Sequence, residues 1–86
     1  MAYNQISVTT SPTLIVAANN LRRALILDNQ GSVSVYIGPD ASITTSNTVS
    51  LRASAELTLD DRWVRVSVYG VVASGSATVG YWEIAE

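Results

Sequence analysis

Alternation with a period of two constrains this chain more than any other feature. In "VSVYI" at 33–37, Val33, Val35 and Ile37 share one face, while Ser34 and Tyr36 share the other. In "WVRVSVY" at 63–69, Val64, Val66 and Val68 oppose Trp63, Arg65, Ser67 and Tyr69. In "SATVGYWEI" at 76–84, Ala77, Val79 and Tyr81 alternate with Thr78, Gly80, Trp82 and Ile84. Successive side chains on a strand point to opposite faces, so this pattern marks strands with one buried side. No window sustains apolar residues at helical spacing. Val, Ile, Thr and Ser dominate, and these favour strands and turns over helices.

Turn signals punctuate the alternation: "SP" at Ser11–Pro12, "DNQGS" at 28–32, "GPD" at 38–40 and "SGS" at 74–76. They divide the chain into strands expected near 3–9, 13–18, 22–28, 33–37, 48–51, 55–59, 63–73 and 76–84. "NQG" is expected to form a type I turn closed by Gly31 at positive φ, joining two antiparallel strands, and "SGS" a second tight hairpin. "ASITTSNT" at 41–48 is the longest polar segment and is expected to be an exposed loop. About eight short strands with short connections predict an all-β fold, a small antiparallel β-sandwich or jelly-roll-like barrel. With no internal repeat and no linker, residues 1–86 read as one domain.

A chain of 86 residues buries only roughly 60–65% of its unfolded surface, so its own core is thin. Small folds of this kind commonly need a staple. Cysteine and histidine are both absent, which excludes a disulfide and argues against zinc. Association with further copies is the remaining common route to stability. The basic residues are the five arginines Arg22, Arg23, Arg52, Arg62 and Arg65, and there is no lysine. They form no run that would neutralise phosphates, so nucleic acid is not an expected partner. No apolar stretch approaches the roughly 18–20 residues of a membrane-spanning helix, and no membrane partner is expected. "MAYNQISVTT" lacks the basic and apolar regions of a signal peptide.

Catalysis has little to stand on without the usual base, nucleophile and proton shuttle, and the chain is read as a non-enzyme. Asp60 and Asp61 are adjacent carboxylates, but neighbours on a strand diverge, and "TLDDRW" reads better as a turn. A calcium site from Asp40, Asp60 and Asp61 has no loop motif behind it. No Gly-rich phosphate loop is present, and no cofactor is expected.

Two clusters remain as candidate contact sites. Of Arg22 and Arg23, one should point outward and the other inward or along the sheet rim. A local reading pairs an arginine with Asp28 or Glu83. A functional reading puts it at a subunit or docking contact, which suits a planar and weakly hydrated guanidinium. If the valine faces look inward, then Tyr36, Trp63 and Tyr69 look outward, with Trp82 beside them or on a neighbouring outer face. Outward rings serve as protein contacts or as platforms for sugar rings; the alternative is that they cover the rim of a small core. Sheet edges are commonly protected by charge, lysine above all, and that device is unused here.

The order of segments also resembles small virion proteins of tailed bacteriophages. The likeness runs through "TTSPTLIVAANNLRRALILDNQGSVSVYIGPDASITTSNTVSLRASAELTLD" and "VYGVVASGSATVGYWEI", roughly residues 9–84. It rests on Asn20, Arg22 or Arg23, Asn29, Gly31, Tyr36, Ile37, Gly38, Leu51, Leu59, Tyr69, Gly70, Ala73, Ser74, Gly75 and Val79. These are strand and turn residues, and no catalytic motif is among them. "TSNTVSL" departs from the pattern by lacking a Gly before the Leu strand, and "RWVRVS" by its longer lead into the last hairpin. The resemblance implies a β-sandwich virion protein located on the capsid surface and made in the host cytoplasm. The role it favours is capsid decoration, or cement, as a homo-oligomer, a trimer being favoured, bound to the major capsid protein or another virion protein. The alternative is a fibre or tail-tip module that binds a host receptor or glycan. Arg22, Arg23, Tyr36, Trp63, Arg65 and Trp82 are the expected subunit or shell contacts.

Overall fold

The structure is a computed structural model that describes residues 2–59 and 65–85. Its strands are β1 (Ala2–Val8), β2 (Thr13–Val16), β3 (Arg22–Asn29), β4 (Val35–Gly38), β5 (Val49–Leu51), β6 (Glu56–Leu59), β7 (Val68–Val71) and β8 (Ala77–Ala85). Hydrogen bonding places them in two four-stranded sheets, β1-β8-β3-β6 (sheet A) and β2-β7-β4-β5 (sheet B). Every pairing is antiparallel. Each connection passes from one sheet to the other except β4–β5, which stays within sheet B. This connectivity of two interlocked Greek keys is the eight-stranded jelly roll.

The two hairpins expected at "NQG" and "SGS" do not form, because β3 and β4 lie in opposite sheets, as do β7 and β8. Both segments are crossovers. Gly31 has no positive φ; what requires glycine there is space, since a Cβ would come within 2.6 Å of Ala77 Cβ. Gly75 does take positive φ, at 73°, which suits the residue without a side chain. Of the strand expected over 63–73, residues 65–73 are described, and among them the strand is Val68–Val71. Local turn chemistry marks where a strand ends, but which sheet the next strand joins is set by the burial of faces.

Those faces meet in an aliphatic core. Sheet A contributes Val8, Leu25, Leu27, Ala77 and Val79; sheet B contributes Ile15, Val16, Val35, Ile37, Leu51 and Val68. Tyr81 and Ile6 pack at its margin. Burial of each Val or Leu contributes roughly 1.5–3 kcal/mol. Period two holds across the core: in β3, Leu25, Leu27 and Asn29 are buried while Ile26 and Asp28 lie half-buried on the other face. Strict alternation from Leu25 would carry Arg23 inward. A register shift between Arg22 and Ala24 adds one residue, and such a bulge reverses the phase. Arg22 therefore points in, and Arg23 is exposed.

Antiparallel pairing fixes which connections share an end. The loops β1–β2, β3–β4, β5–β6 and β7–β8 gather at one end, the short-loop end, and β2–β3, β4–β5 and β6–β7 at the other, the long-loop end. A backbone bond from Val72 N–H to Thr9 O joins two loops of the first end, and one from Asn19 N–H to Arg65 O joins two of the second.

Candidate functional site

Of the six residues expected at contacts, the five that are described, Arg22, Arg23, Tyr36, Arg65 and Trp82, do not converge on one surface. Arg22 is fully buried. Its Nε donates to Glu83 Oε2 at 2.8 Å, one terminal nitrogen donates to Val66 O at 3.0 Å, and the other donates to Ala17 O. Glu83 also accepts from Asn19 Nδ2 at 3.3 Å. Of the two acids named as local partners, Glu83 takes the ion pair. The expectation that Arg22 contacts a subunit or shell is corrected: no part of its side chain reaches the surface, and its charge is spent closing one end of the sandwich. Arg23 and Arg65 are exposed at that same end. Tyr36 and Tyr69 are half-buried on the outer face of sheet B, whereas Trp82 lies on the outer face of sheet A. Trp63, Asp60 and Asp61 lie outside the described residues.

Sheet B carries no charge. "TLIV", "VYIG", "VSL" and "VYGV" contain no Asp, Glu, Lys or Arg. Its edges are β2 and β5, and Leu14 on β2 and Val49 on β5 stay exposed, Val49 at 67%. The β4–β5 loop folds back so that Ile43 is buried against Gly38. Asp40 Oδ1 in that loop accepts from Ser42 N–H at 2.9 Å and from its hydroxyl at 2.5 Å. These donors hold the Asp40 carboxyl below its ordinary value.

Sheet A is different. Its register sets Tyr3 beside Trp82 and Trp82 beside Ile26. Two residues along, Gln5 lies beside Gly80, Gly80 beside Asp28, and Asp28 beside Glu56. An aromatic row and a polar row thus run parallel across the outer face, about 7 Å apart at a strand rise near 3.4 Å per residue. They border a groove of about 610 Å³. Gln5 Nε2 donates to Gln30 Oε1 at 2.7 Å, and Gln30 Nε2 donates to Asp28 Oδ2 at 3.3 Å. The Gln30 amide lies over Gly80, where a Cβ would come within 2.8 Å of Nε2. Tyr3, Gln5, Gln30 and Gly80 were not among the residues expected from the sequence to bear function. The alternation of Gly80 with Trp82 was visible, but β1 and β8 are paired across more than seventy residues of chain, and that register is not written locally.

No group of three or more potential metal ligands occurs among the described residues. Comparisons with protein-family models, curated proteins and solved structures find no match for this chain.

Proposed function

We propose that this protein is a non-enzymatic structural module of a bacteriophage particle, acting as a capsid decoration protein that assembles with copies of itself and clamps neighbouring shell subunits. The observation that carries the assembly part is the uncharged sheet B with apolar residues exposed at both edges. A sheet edge without charge invites another chain. Here β5 has three residues and β2 is interrupted by a register shift. Short and irregular edges resist open-ended strand addition, so the geometry favours a closed oligomer that buries the sheet B side. A trimer suits the local three-fold axes of an icosahedral shell, and many weak contacts per particle add up to a firm clamp. Tyr36 belongs to this side, with Arg23 and Arg65 as contacts at the long-loop end. Placement in a phage particle rests on the resemblance of the chain to phage virion proteins.

The test is the solution mass by light scattering, followed by sedimentation with undecorated capsids of the phage that encodes the chain. A trimer that co-sediments at a saturating, symmetry-related ratio is expected, and Tyr36→Glu should abolish both. A monomer that leaves capsids bare overturns the proposal. A second reading, a fibre or tail-tip module that binds a receptor, is favoured by the groove on sheet A.

A further inference from the structure

We infer that the groove on the outer face of sheet A binds a neutral pyranose saccharide. The inference deepens the receptor-module reading and rests on it; assembly through sheet B is separate. Three features converge. Tyr3 is 81% exposed and Trp82 46% exposed, side by side across the β1–β8 pair. An aromatic face carries a negative quadrupole, and the polarised C–H bonds on one side of a pyranose ring are positive, so ring and sugar stack. Two exposed rings side by side form a contiguous apolar patch, and patches rimmed by polar residues mark binding sites.

The polar row supplies the second feature. A sugar held flat on the aromatic row presents hydroxyls at its rim, which are both donors and acceptors. Asp28 and Glu56 accept from hydroxyls, and hydrogen bonds to charged groups are the stronger kind. Gln5 and Gln30 both donate and accept. Their bonds to each other and to Asp28 hold this row in place before a ligand arrives, which lowers the ordering cost of binding. The third feature is shape and charge. Gly80, within the polar row, leaves the space in which the Gln30 amide lies across the strand, and the groove volume falls in the roughly 300–1,000 Å³ range of ligand sites. Among the described residues, two carboxylates and no cation line it, so a sugar bearing carboxylate, sulfate or phosphate would be repelled. The chemistry therefore selects neutral hexopyranoses.

The experiment is a two-dimensional amide NMR titration of the full chain with methyl glucoside, methyl mannoside, methyl galactoside and N-acetylglucosamine. N-acetylneuraminic acid and tetra-arginine serve as contrasts. At least one neutral pyranoside is expected to shift resonances around Tyr3, Gly80 and Trp82 with a dissociation constant on the order of 1–10 mM, the weak range for one small ligand. N-acetylneuraminic acid should shift none of them. Trp82→Ala should weaken binding at least about tenfold, the loss of one good contact, while the solution mass of the protein stays unchanged. Gly80→Ala provides a variant that folds, because only the flexible end of Gln30 must move, and it too should lose the sugar. If no neutral pyranoside shifts these resonances, the proposal is overturned. It is equally overturned if only tetra-arginine binds, which would make the groove a basic-peptide site, or if Trp82→Ala changes the mass, which would make it an assembly face. Failure of the capsid test with sugar binding intact removes the decoration reading alone.

Discussion

The two ends of the sandwich are closed by different means, and β3 spans both. Its first residue, Arg22, and its last, Asn29, are the buried polar residues among those described. At the short-loop end Asn29 bonds almost wholly to backbone. Its Nδ2 donates to Val33 O and Leu51 O, both at 2.9 Å, and its Oδ1 accepts from Gly31 N–H at 2.9 Å. Its own N–H donates to Ala55 O, and its carbonyl accepts from Ser54 N–H. One neutral side chain thus ties sheet A to the ends of two sheet B strands. At the long-loop end, a charge is buried instead, and its partner Glu83 lies 61 residues away. A neutral plug with every bond met by backbone is cheap to bury; a buried guanidinium depends on its carboxylate and carbonyls all being in place.

The sharpest way to break this contrast is Arg22→Ala. It leaves the Glu83 carboxylate, with only 14% of its side chain exposed, without its guanidinium, and strands the carbonyls of Ala17 and Val66. Removing one partner of a buried pair costs about 3–5 kcal/mol, a large share of the roughly 4–13 kcal/mol that a domain this size has. Chemical denaturation should find a stability lowered by that amount, and an unfolded variant only if the parent lies at the low end of the range. The double variant Arg22→Met with Glu83→Leu should recover the part of the loss that comes from the unpaired carboxylate, because an apolar pair of similar volume replaces a buried ion pair at little cost, but not the part from the Ala17 and Val66 carbonyls. A loss below about 1 kcal/mol for Arg22→Ala, the size expected of an exposed pair, would show that this end is held by something other than the ion pair.

Asn29→Ala should have the next largest effect. Two backbone carbonyls and one N–H lose their partner, and a small void opens. Each buried group left unsatisfied costs roughly 1–3 kcal/mol, less what water entering from the nearby surface recovers, so a net loss near 2–3 kcal/mol is expected from the denaturation midpoint. If Asn29→Ala matches or exceeds Arg22→Ala, the ranking of the two ends is reversed, and the backbone-stitched end is the one that holds the sheets together.

The same contrast separates what could be read from the sequence from what could not. Eight strands, the inward Val35 and Ile37 of β4, the buried Val79 and a 41–48 loop that is exposed apart from Ile43 and the half-buried Thr48 follow from alternation and turn residues, both local signals. The short-loop end was less legible: Asn29 and Gly31 stand in one turn signal, but both hairpins expected there, at "NQG" and "SGS", are crossovers, because the sheet that the next strand joins is not written locally. The direction of Arg22 was hidden, because a single extra residue in β3 turns it from one face to the other. Glu83, with the Ala17 and Val66 carbonyls, explains why that is stable, and Arg22 and Glu83 meet through the pairing of β3 with β8. The groove was hidden for the same reason. Tyr3, Trp82 and Asp28 come from three strands far apart in the chain, and they become neighbours only once the order β1-β8-β3 is known.

The smallest effect is expected farthest from the core, in the loop that caps the long-loop end of sheet B. Asp40 is fully exposed, and its carboxylate takes both donors of Ser42. These bonds favour the charged form, so the folded-state pKa lies below the ordinary 3.8. The sign follows from linkage: a carboxyl depressed in the folded state binds fewer protons there than when unfolded. Its contribution is therefore complete above 3.8 and is lost as the pH falls through the lower folded value. The Ser42 amide resonance should titrate with a midpoint under 3.8, and Ser42→Ala, which removes the hydroxyl donor, should move the Asp40 midpoint back up. The amides of Asn29 and Gly31 at the opposite end should stay still through that transition. A shared midpoint at both ends would mean that the acid transition is global, and that the two closures act as one cooperative unit rather than as two.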